Sequence, residues 1–177
     1  MAAPGEGDDA QSGPEMSVVV PAPAGIQFPP IAWRFARFDE LSPREVHDIF
    51  RARAAVFVVE QTCAFQDVDG ADPACWHLIG LAPEIVAYCR LVPPGVKYRE
   101  PSIGRVVTLP PARGIGAGRT LMREAIVRAQ ALWPGQPLRI GAQMYLKDFY
   151  GEFGFAQSSA PYDEDGIMHI EMIREAR

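Results

Sequence analysis

The stretch of residues 109–126, LPPARGIGAGRTLMREAI, places three glycines at alternate positions between a proline turn and a helical pattern. Each glycine loses more conformational entropy on folding than another residue would. Three together therefore indicate a backbone that turns sharply or passes close to a ligand. A strand pattern, IGRVVTL, precedes the turn, and a turn of this kind presents free backbone N–H groups and the positive end of a helix to an anion, most often phosphate.

The chain from Ile31 onward alternates strand and helix patterns. A strand, IAWRFARF, leads to a helix predicted over residues 43–57, which Ser42 and Glu45 open as a capping box. The hairpin CWHLIGL and IVAYCRLV, the strand LRIGAQ, the short helix YLKDFYGEF and the strand GIMHIEMI complete the order. This order predicts one domain, residues 31–177, with a mixed sheet and helices on its faces, after a flexible tail of residues 1–30 that is rich in Ala, Gly and Pro.

Composition excludes several classes of function. The net charge of -5 carries no clustered basic face, which argues against nucleic acid as a partner. No apolar run reaches the ~18 residues of a membrane span and no signal-peptide pattern stands at the N-terminus, so a cytoplasmic protein without membrane contact is expected. Cysteines 63, 75 and 89 are odd in number and form no C-x-x-C pair, which indicates buried free thiols and no metal site.

The glycine turn fits neither of two common phosphate-binding motifs. A Walker A loop needs Gly-Lys-Ser/Thr, and the dinucleotide fingerprint needs glycine where Arg119 stands. Arg113–Gly118 does match R-x-x-G-x-G, and the alternative is a tight strand-to-helix turn without a ligand. At this motif the chain resembles the GCN5-related N-acetyltransferases (GNAT), whose loop of that pattern binds the pyrophosphate of acetyl-CoA.

Three further stretches carry the resemblance over residues 31–175. FYGEFGF, residues 149–155, is similar to the aromatic segment that closes the core of the family, and its alternative is core packing alone. VFVVEQTCAFQDVDGAD and DEDGIMHIEM are similar to the small bacterial ElaA-like branch. The resemblance implies an α/β (α+β) fold with a mixed, mostly antiparallel central sheet and helices on both faces.

The resemblance also implies site residues. Tyr150 would lie near the CoA sulfur, where its phenol could protonate the departing thiolate. Backbone N–H groups of the strand before the loop could stabilise an oxyanion. The expected acetyl-CoA contacts are Val106, Val107, Thr108, Leu109, Arg113, Gly114, Ile115, Gly116, Ala117, Gly118 and Arg119.

An alkyl amine is protonated at neutral pH, so transfer to it needs a general base. Glu60, His77 and His169 are the candidates. Apolar surroundings would raise the pKa of Glu60, although an exposed carboxylate is the alternative. His77 can equally be a hydrogen-bonded core histidine, and His169 can face either a cleft or solvent.

The segment DVDGAD lacks the glycine and glutamate positions of a calcium loop. It is expected to form a solvated turn or, with Asp163, Glu164 and Asp165, an acidic rim that attracts a cationic amine. Cys89 could carry an acyl group, but a core-packing role for Cys89 is favoured.

These observations together predict an acetyl-CoA-dependent N-acetyltransferase. The acetyl group would pass to a primary amine by direct attack in a ternary complex, with a small molecule or a protein as acceptor. Two alternatives stay open: a CoA-binding module without chemistry, and an acyltransferase that uses longer acyl-CoA donors. A monomer and a homodimer also stay open.

Overall fold

The computed structural model describes residues 28–176, which form one mixed sheet of eight strands and, within that range, three α-helices. The sheet order is β1-β2-β3-β4-β5-β8-β6, and β7 also pairs with β8. Every pair is antiparallel except β4 with β5. The strands are β1 (Ala32–Arg37), β2 (Trp76–Leu81), β3 (Ile85–Val92), β4 (Ser102–Thr108), β5 (Leu138–Gln143), β6 (Ala156–Gln157), β7 (Tyr162–Glu164) and β8 (Ile167–Arg174).

Local sequence signals account for the helices α1 (Pro43–Ala54), α2 (Ala117–Leu132) and α3 (Lys147–Gly151). The predicted capping box opens α1: Ser42 Oγ accepts from the Glu45 amide, and the Glu45 carboxylate accepts from the Ser42 amide at 2.8 Å. A π-helical turn, Ala55–Glu60, continues α1, so the helical segment runs three residues past its predicted end.

The helices cover both faces of the sheet. Leu121, Met122 and Ala125 of α2 pack with Leu78 and Cys89 on one face. On the other face α1 and the π-helical turn bury Ile49, Ala52 and Val56 against Ile79, Tyr88 and Val107. Neighbouring strand residues point to opposite faces because the side-chain period of a strand is two. The predicted mixed, mostly antiparallel sheet with helices on both faces is confirmed.

The sheet opens between β4 and β5. Only Ser102 and Arg139 pair in register, and the Arg139 amide also donates to the Pro101 carbonyl at 3.0 Å. A β-bulge interrupts β4, since Tyr88 faces Val107 whereas Arg90, two residues on, faces Gly104. Arg105 lies inside this bulge with a φ of 52°. A bulge bends its strand, so β4 and β5 diverge after one pair.

The predicted tail, residues 1–30, lies outside the described residues except for its end. Phe28 is half-buried and packs with Ile31 against Val86, Ala112 and Ala117. Packed chain therefore begins at least three residues before the predicted domain start. No helix within residues 28–176 is long and apolar enough to cross a membrane.

Candidate functional site

Two openings on opposite faces of the sheet meet where β4 and β5 separate. The large cleft, about 430 Å³, is lined on one side by the π-helical turn. The small pocket, about 290 Å³, lies at the N-terminus of α2. Both openings are lined by Val106, Thr108, Arg113, Leu146 and Tyr150. The gap between the strands is therefore a passage through the sheet, which a long flexible molecule could occupy.

The small pocket contains the free amides of a helix N-terminus. The first helical hydrogen bond of α2 runs from the Thr120 amide to the Gly116 carbonyl, and no side chain caps the helix. The amides of residues 117–119 precede that bond, so they remain available as donors to an anion. Gly114 and Gly116 adopt φ values of 76° and 85°, which only glycine takes without strain. The glycine turn therefore does two things: it makes the left-handed entry to α2 and leaves the helix end open.

Gly118 lines the small pocket without a side chain to occupy it. A β-carbon built on Gly118 would lie 3.6 Å from Thr108 Cγ2 and 3.8 Å from Phe149 Cζ. Those are ordinary contact distances, so the ligand-free chain has room for a methyl group there. Thr108 and Phe149 themselves line the small pocket, so that methyl group would take space from a ligand.

The arginines of the loop are already paired with carboxylates. Arg113 donates to the Thr108 carbonyl at 2.9 Å and to the Glu60 carboxylate at 2.8 Å. Arg119 makes a two-bonded pair with Glu152, each bond 2.8 Å long. Both guanidinium groups lie beside the small pocket, whereas the Ile115 side chain is 52% exposed and lines neither opening.

The amides of β4 are not all free. The Leu109 amide donates to the Val86 carbonyl at 2.9 Å, so Leu109 cannot serve the predicted oxyanion site. In an antiparallel ladder, opposite residues alternate between hydrogen-bonded and non-bonded pairs. Because Leu109 is bonded to Val86, the next bonded pair is Val107 with Tyr88, and the Thr108 amide between them points towards β5. By the same alternation the Val106 amide also lies on the β5 side, so Val106 and Thr108 are the predicted strand donors on that side.

Tyr150 lies where the two openings join. Its ring is 6% exposed and meets Phe149 and Phe155 edge-on, with centroids 5.1 and 6.3 Å away. Burial raises the pKa of the Tyr150 phenol well above its usual range, so the hydroxyl keeps its proton at neutral pH and can donate a hydrogen bond. That Tyr150 lies near the CoA sulfur stays a prediction.

The base candidates fall in three different environments. The expectation of a raised pKa for Glu60 is wrong, because the hydrogen bond from Arg113 lowers the pKa of this carboxyl. His77 is also wrong as a base: it is 1% exposed, bonds Tyr88 Oη at 2.8 Å and does not line the large cleft. Burial lowers the pKa of His77. His169, the third candidate, does line the cleft.

The DVDGAD segment forms a buried ion-pair network, which corrects both expectations for it. Asp72 is 2% exposed and accepts from Arg53 at 2.7 Å and from Arg90 at 3.0 Å. Asp67 pairs with Arg53 and Arg105 at 2.8 and 2.7 Å. These carboxylates therefore hold the loop onto α1 and the bulge of β4, and they form neither a solvated turn nor a rim. Glu164 and Asp165 of the proposed acidic rim do line the cleft.

All three cysteines are free and buried, as predicted. Cys89 is fully buried in the core and burial raises its pKa, which leaves no thiolate for acyl transfer. Within residues 28–176 no three His, Cys, Asp or Glu side chains gather as metal ligands would.

Sequence reasoning missed several residues of the cleft, among them Lys97, Tyr98 and Arg105. Lys97 and Tyr98 belong to the loop between β3 and β4, where no periodic pattern marks them. Arg105 lies in the β4 bulge, and the sequence of β4 does not predict that bulge.

Comparison with known proteins agrees with this geometry. The family model described as "Acetyltransferase (GNAT) domain" matches residues 83–176. A UPF0039 protein of Synechocystis is 44% identical over 145 residues, which cover 81% of this chain and 94% of that protein. Protein ElaA of Escherichia coli is 38% identical over 148 residues, or 82% of this chain and 97% of ElaA.

Solved structures give the same result. The crystal structure of Escherichia coli ElaA superposes with a TM-score of 0.78 and covers 82% of this chain and 99% of that one. An acyl-CoA N-acyltransferase from Pseudomonas aeruginosa is 37% identical with a TM-score of 0.79, over 82% of this chain and 99% of that one. The chain therefore belongs to the GNAT acyltransferases and, within them, to the group of ElaA and the UPF0039 proteins.

Proposed function

We propose that this acyltransferase is an acetyl-CoA-dependent N-acetyltransferase, which moves an acetyl group to a primary amine by direct attack in a ternary complex. The observation that carries the proposal is the passage between β4 and β5. It joins a helix N-terminus with free amides on one face to the large cleft on the other. Two substrates can thus approach one point from opposite sides without sharing space.

The donor fits the small pocket. Free amides at the start of α2 suit a pyrophosphate, and the flanking Arg113 and Arg119 add positive charge if they leave their carboxylate partners. The passage between Val106 and Thr108 of β4 and Leu146 suits the narrow pantetheine arm. This arrangement would bring the thioester beside Tyr150.

The thioester supplies the electrophilic carbon: the amine nitrogen bonds to it, the C–S bond breaks and the electron pair leaves on sulfur. An amide on the β5 side of β4, from Val106 or Thr108, would hydrogen-bond the negative oxygen. Tyr150 Oη would donate a hydrogen bond to the sulfur. Burial raises the pKa of Tyr150, which opposes full transfer of its proton to the thiolate. We therefore assign Tyr150 stabilisation of the leaving group by a hydrogen bond, with protonation completed as CoA leaves.

The acceptor fits the large cleft. Its lining includes the aromatic rings of Phe57, Phe65 and Tyr98, together with the carboxylates of Glu164 and Asp165. Aromatic rings and carboxylates both attract a cationic amine. The cleft is open enough for a small amine or for a lysine or N-terminal amine on a protein surface.

The test couples donor binding to turnover. Acetyl-CoA should raise the melting temperature, because a ligand that binds only the folded state stabilises it. CoA release should then depend on one amine within a panel of small amines and peptides. A temperature shift without amine-dependent release would support a CoA-binding module and refute the enzyme. Faster release from longer acyl-CoA donors would refute the acetyl specificity alone.

A further inference from the structure

The imidazole of His169 has a defined tautomer. Its Nδ1 lies 2.8 Å from the carbonyl oxygen of Ile167. A carbonyl oxygen can only accept, so Nδ1 must carry the hydrogen of this bond. In the neutral ring the other nitrogen, Nε2, then holds a lone pair. No hydrogen-bond partner for Nε2 occurs among residues 28–176.

The same imidazole is held rigidly at the large cleft. His169 pairs in register with Gln143 of β5 and with Tyr162 of β7, so neighbours on both sides fix its backbone. The Tyr162 ring stacks on the imidazole with centroids 6.0 Å apart and planes 27° apart. The side chain is 14% exposed and lines the cleft, on the face of β8 opposite to the buried Ile170.

We propose that Nε2 of His169 is the general base that deprotonates the acceptor amine, an inference that rests on the proposed N-acetyltransferase function. The ammonium group of the bound acceptor gives one proton to Nε2, which leaves a neutral amine and an imidazolium. The freed lone pair attacks the thioester carbon and the C–S bond breaks. The nitrogen, which is positively charged after attack, loses a second proton that ends on the CoA thiolate, and the imidazolium returns its proton to water. The Ile167 carbonyl fixes the tautomer and the Tyr162 ring stacks on the imidazole, so the lone pair of the neutral ring is on Nε2.

Charged groups of both signs line the cleft around the imidazole. Glu164 on β7 lies 4.0 Å from Nδ1 and would stabilise the imidazolium. Asp165 on the turn after β7 adds negative charge to the same cleft. Lys97 interacts electrostatically with Glu164, and Arg105 is paired with Asp67 and Asp69. Glu60, the remaining carboxylate of the cleft, is paired with Arg113 in the chain without a donor.

The first experiment measures the tautomer directly. The chain has three histidines, and ¹⁵N NMR of their rings distinguishes the two neutral forms. The proposal expects the Nδ1–H form for His169 in the free protein and with acetyl-CoA bound. A neutral ring with hydrogen on Nε2 would overturn the proposal, whatever the acceptor.

The second experiment compares two amines with the variant His169→Asn. The asparagine amide can donate to the Ile167 carbonyl in place of Nδ1–H, but it offers no basic lone pair. With an alkyl amine, turnover should fall by about 10²–10⁴-fold and the loss should shrink as the pH rises towards the pKa of the amine. With an aromatic amine that is already neutral at pH 7, the loss should be much smaller.

Controls separate the possible failures. His47 is exposed on α1 and does not line the cleft, so His47→Asn should keep wild-type turnover with both amines. The shift in melting temperature by acetyl-CoA should be the same in all three proteins. An equal loss with both amines would assign His169 a structural role and overturn the proposal. A wild-type protein that acetylates no amine would instead refute the proposed function and the base with it.

Discussion

Gly118→Ala separates donor binding from folding. The added β-carbon would meet Thr108 Cγ2 at 3.6 Å and Phe149 Cζ at 3.8 Å, so the ligand-free chain accepts it without a clash. Gly116 is a less useful position, because its φ of 85° would strain any other residue whether or not a ligand binds there. Gly118 is helical and free of that strain.

Gly118→Ala should raise the stability of the free protein and weaken its binding of acetyl-CoA. Replacing a helical glycine by alanine where the conformation fits stabilises a protein by about 0.4–1 kcal/mol, or a rise of roughly 1–4 °C in melting temperature. A methyl group forced into an occupied, well-packed site costs about 1–3 kcal/mol. Since about 1.4 kcal/mol of binding free energy corresponds to a tenfold change in Kd, acetyl-CoA should bind roughly 5- to 150-fold more weakly to the variant.

Calorimetric titration with acetyl-CoA and a melting curve without ligand measure the two effects on one preparation. Gly151→Ala in α3 is the matched control. A β-carbon at Gly151 meets nothing within 4 Å, so this variant should keep wild-type affinity. If Gly118→Ala binds acetyl-CoA as tightly as wild type, the donor does not pass between Thr108 and Phe149.

Three further predictions concern the passage and the ion pairs. Tyr150→Phe should lower turnover about 10²-fold at unchanged acetyl-CoA affinity, as measured by CoA release, because one hydrogen-bond donor to the leaving group is lost; full activity with reduced stability would show a purely structural hydroxyl. Asp72→Asn should cost about 3–5 kcal/mol in urea unfolding, because it removes the charge between the buried Arg53 and Arg90; a loss under about 1 kcal/mol would contradict this. The Arg90 hydrogen bond lowers the pKa of Asp69, so this carboxylate stabilises the fold above the unfolded pKa of about 4, and the stability is lost as the pH falls further. Asp69→Asn should therefore lower stability at neutral pH and reduce the further loss of stability as the pH falls, as followed by melting curves at a series of acidic pH values. An unchanged dependence of stability on acidic pH would refute the role of Asp69.

Local pattern predicted the regular elements well. The strand predicted at residues 138–143 has those bounds, and the helical pattern after the glycine turn forms α2. Both signals depend on neighbours within a few residues, which the sequence displays directly. The short strands β6 and β7 were missed, because two and three residues are too few to show alternation.

Long-range pairing explains the errors at the site. Asp67 and Asp72 resemble solvated turn residues in the sequence, since their partner Arg53 lies 14 and 19 positions away. Glu60 and Arg113 are 53 positions apart, and their contact reverses the direction of the pKa shift expected from apolar neighbours. Nothing local marks such contacts, because they form only when the sheet brings distant segments together.

The most direct test of the account follows CoA release and the acceptor's mass together, with acetyl-CoA and the amine panel. The account predicts release that requires an amine and an N-acetylated product in equal amount to the CoA formed. Release at the same rate with and without amines, or binding of acetyl-CoA with no product on any amine, would contradict direct transfer through the passage between β4 and β5.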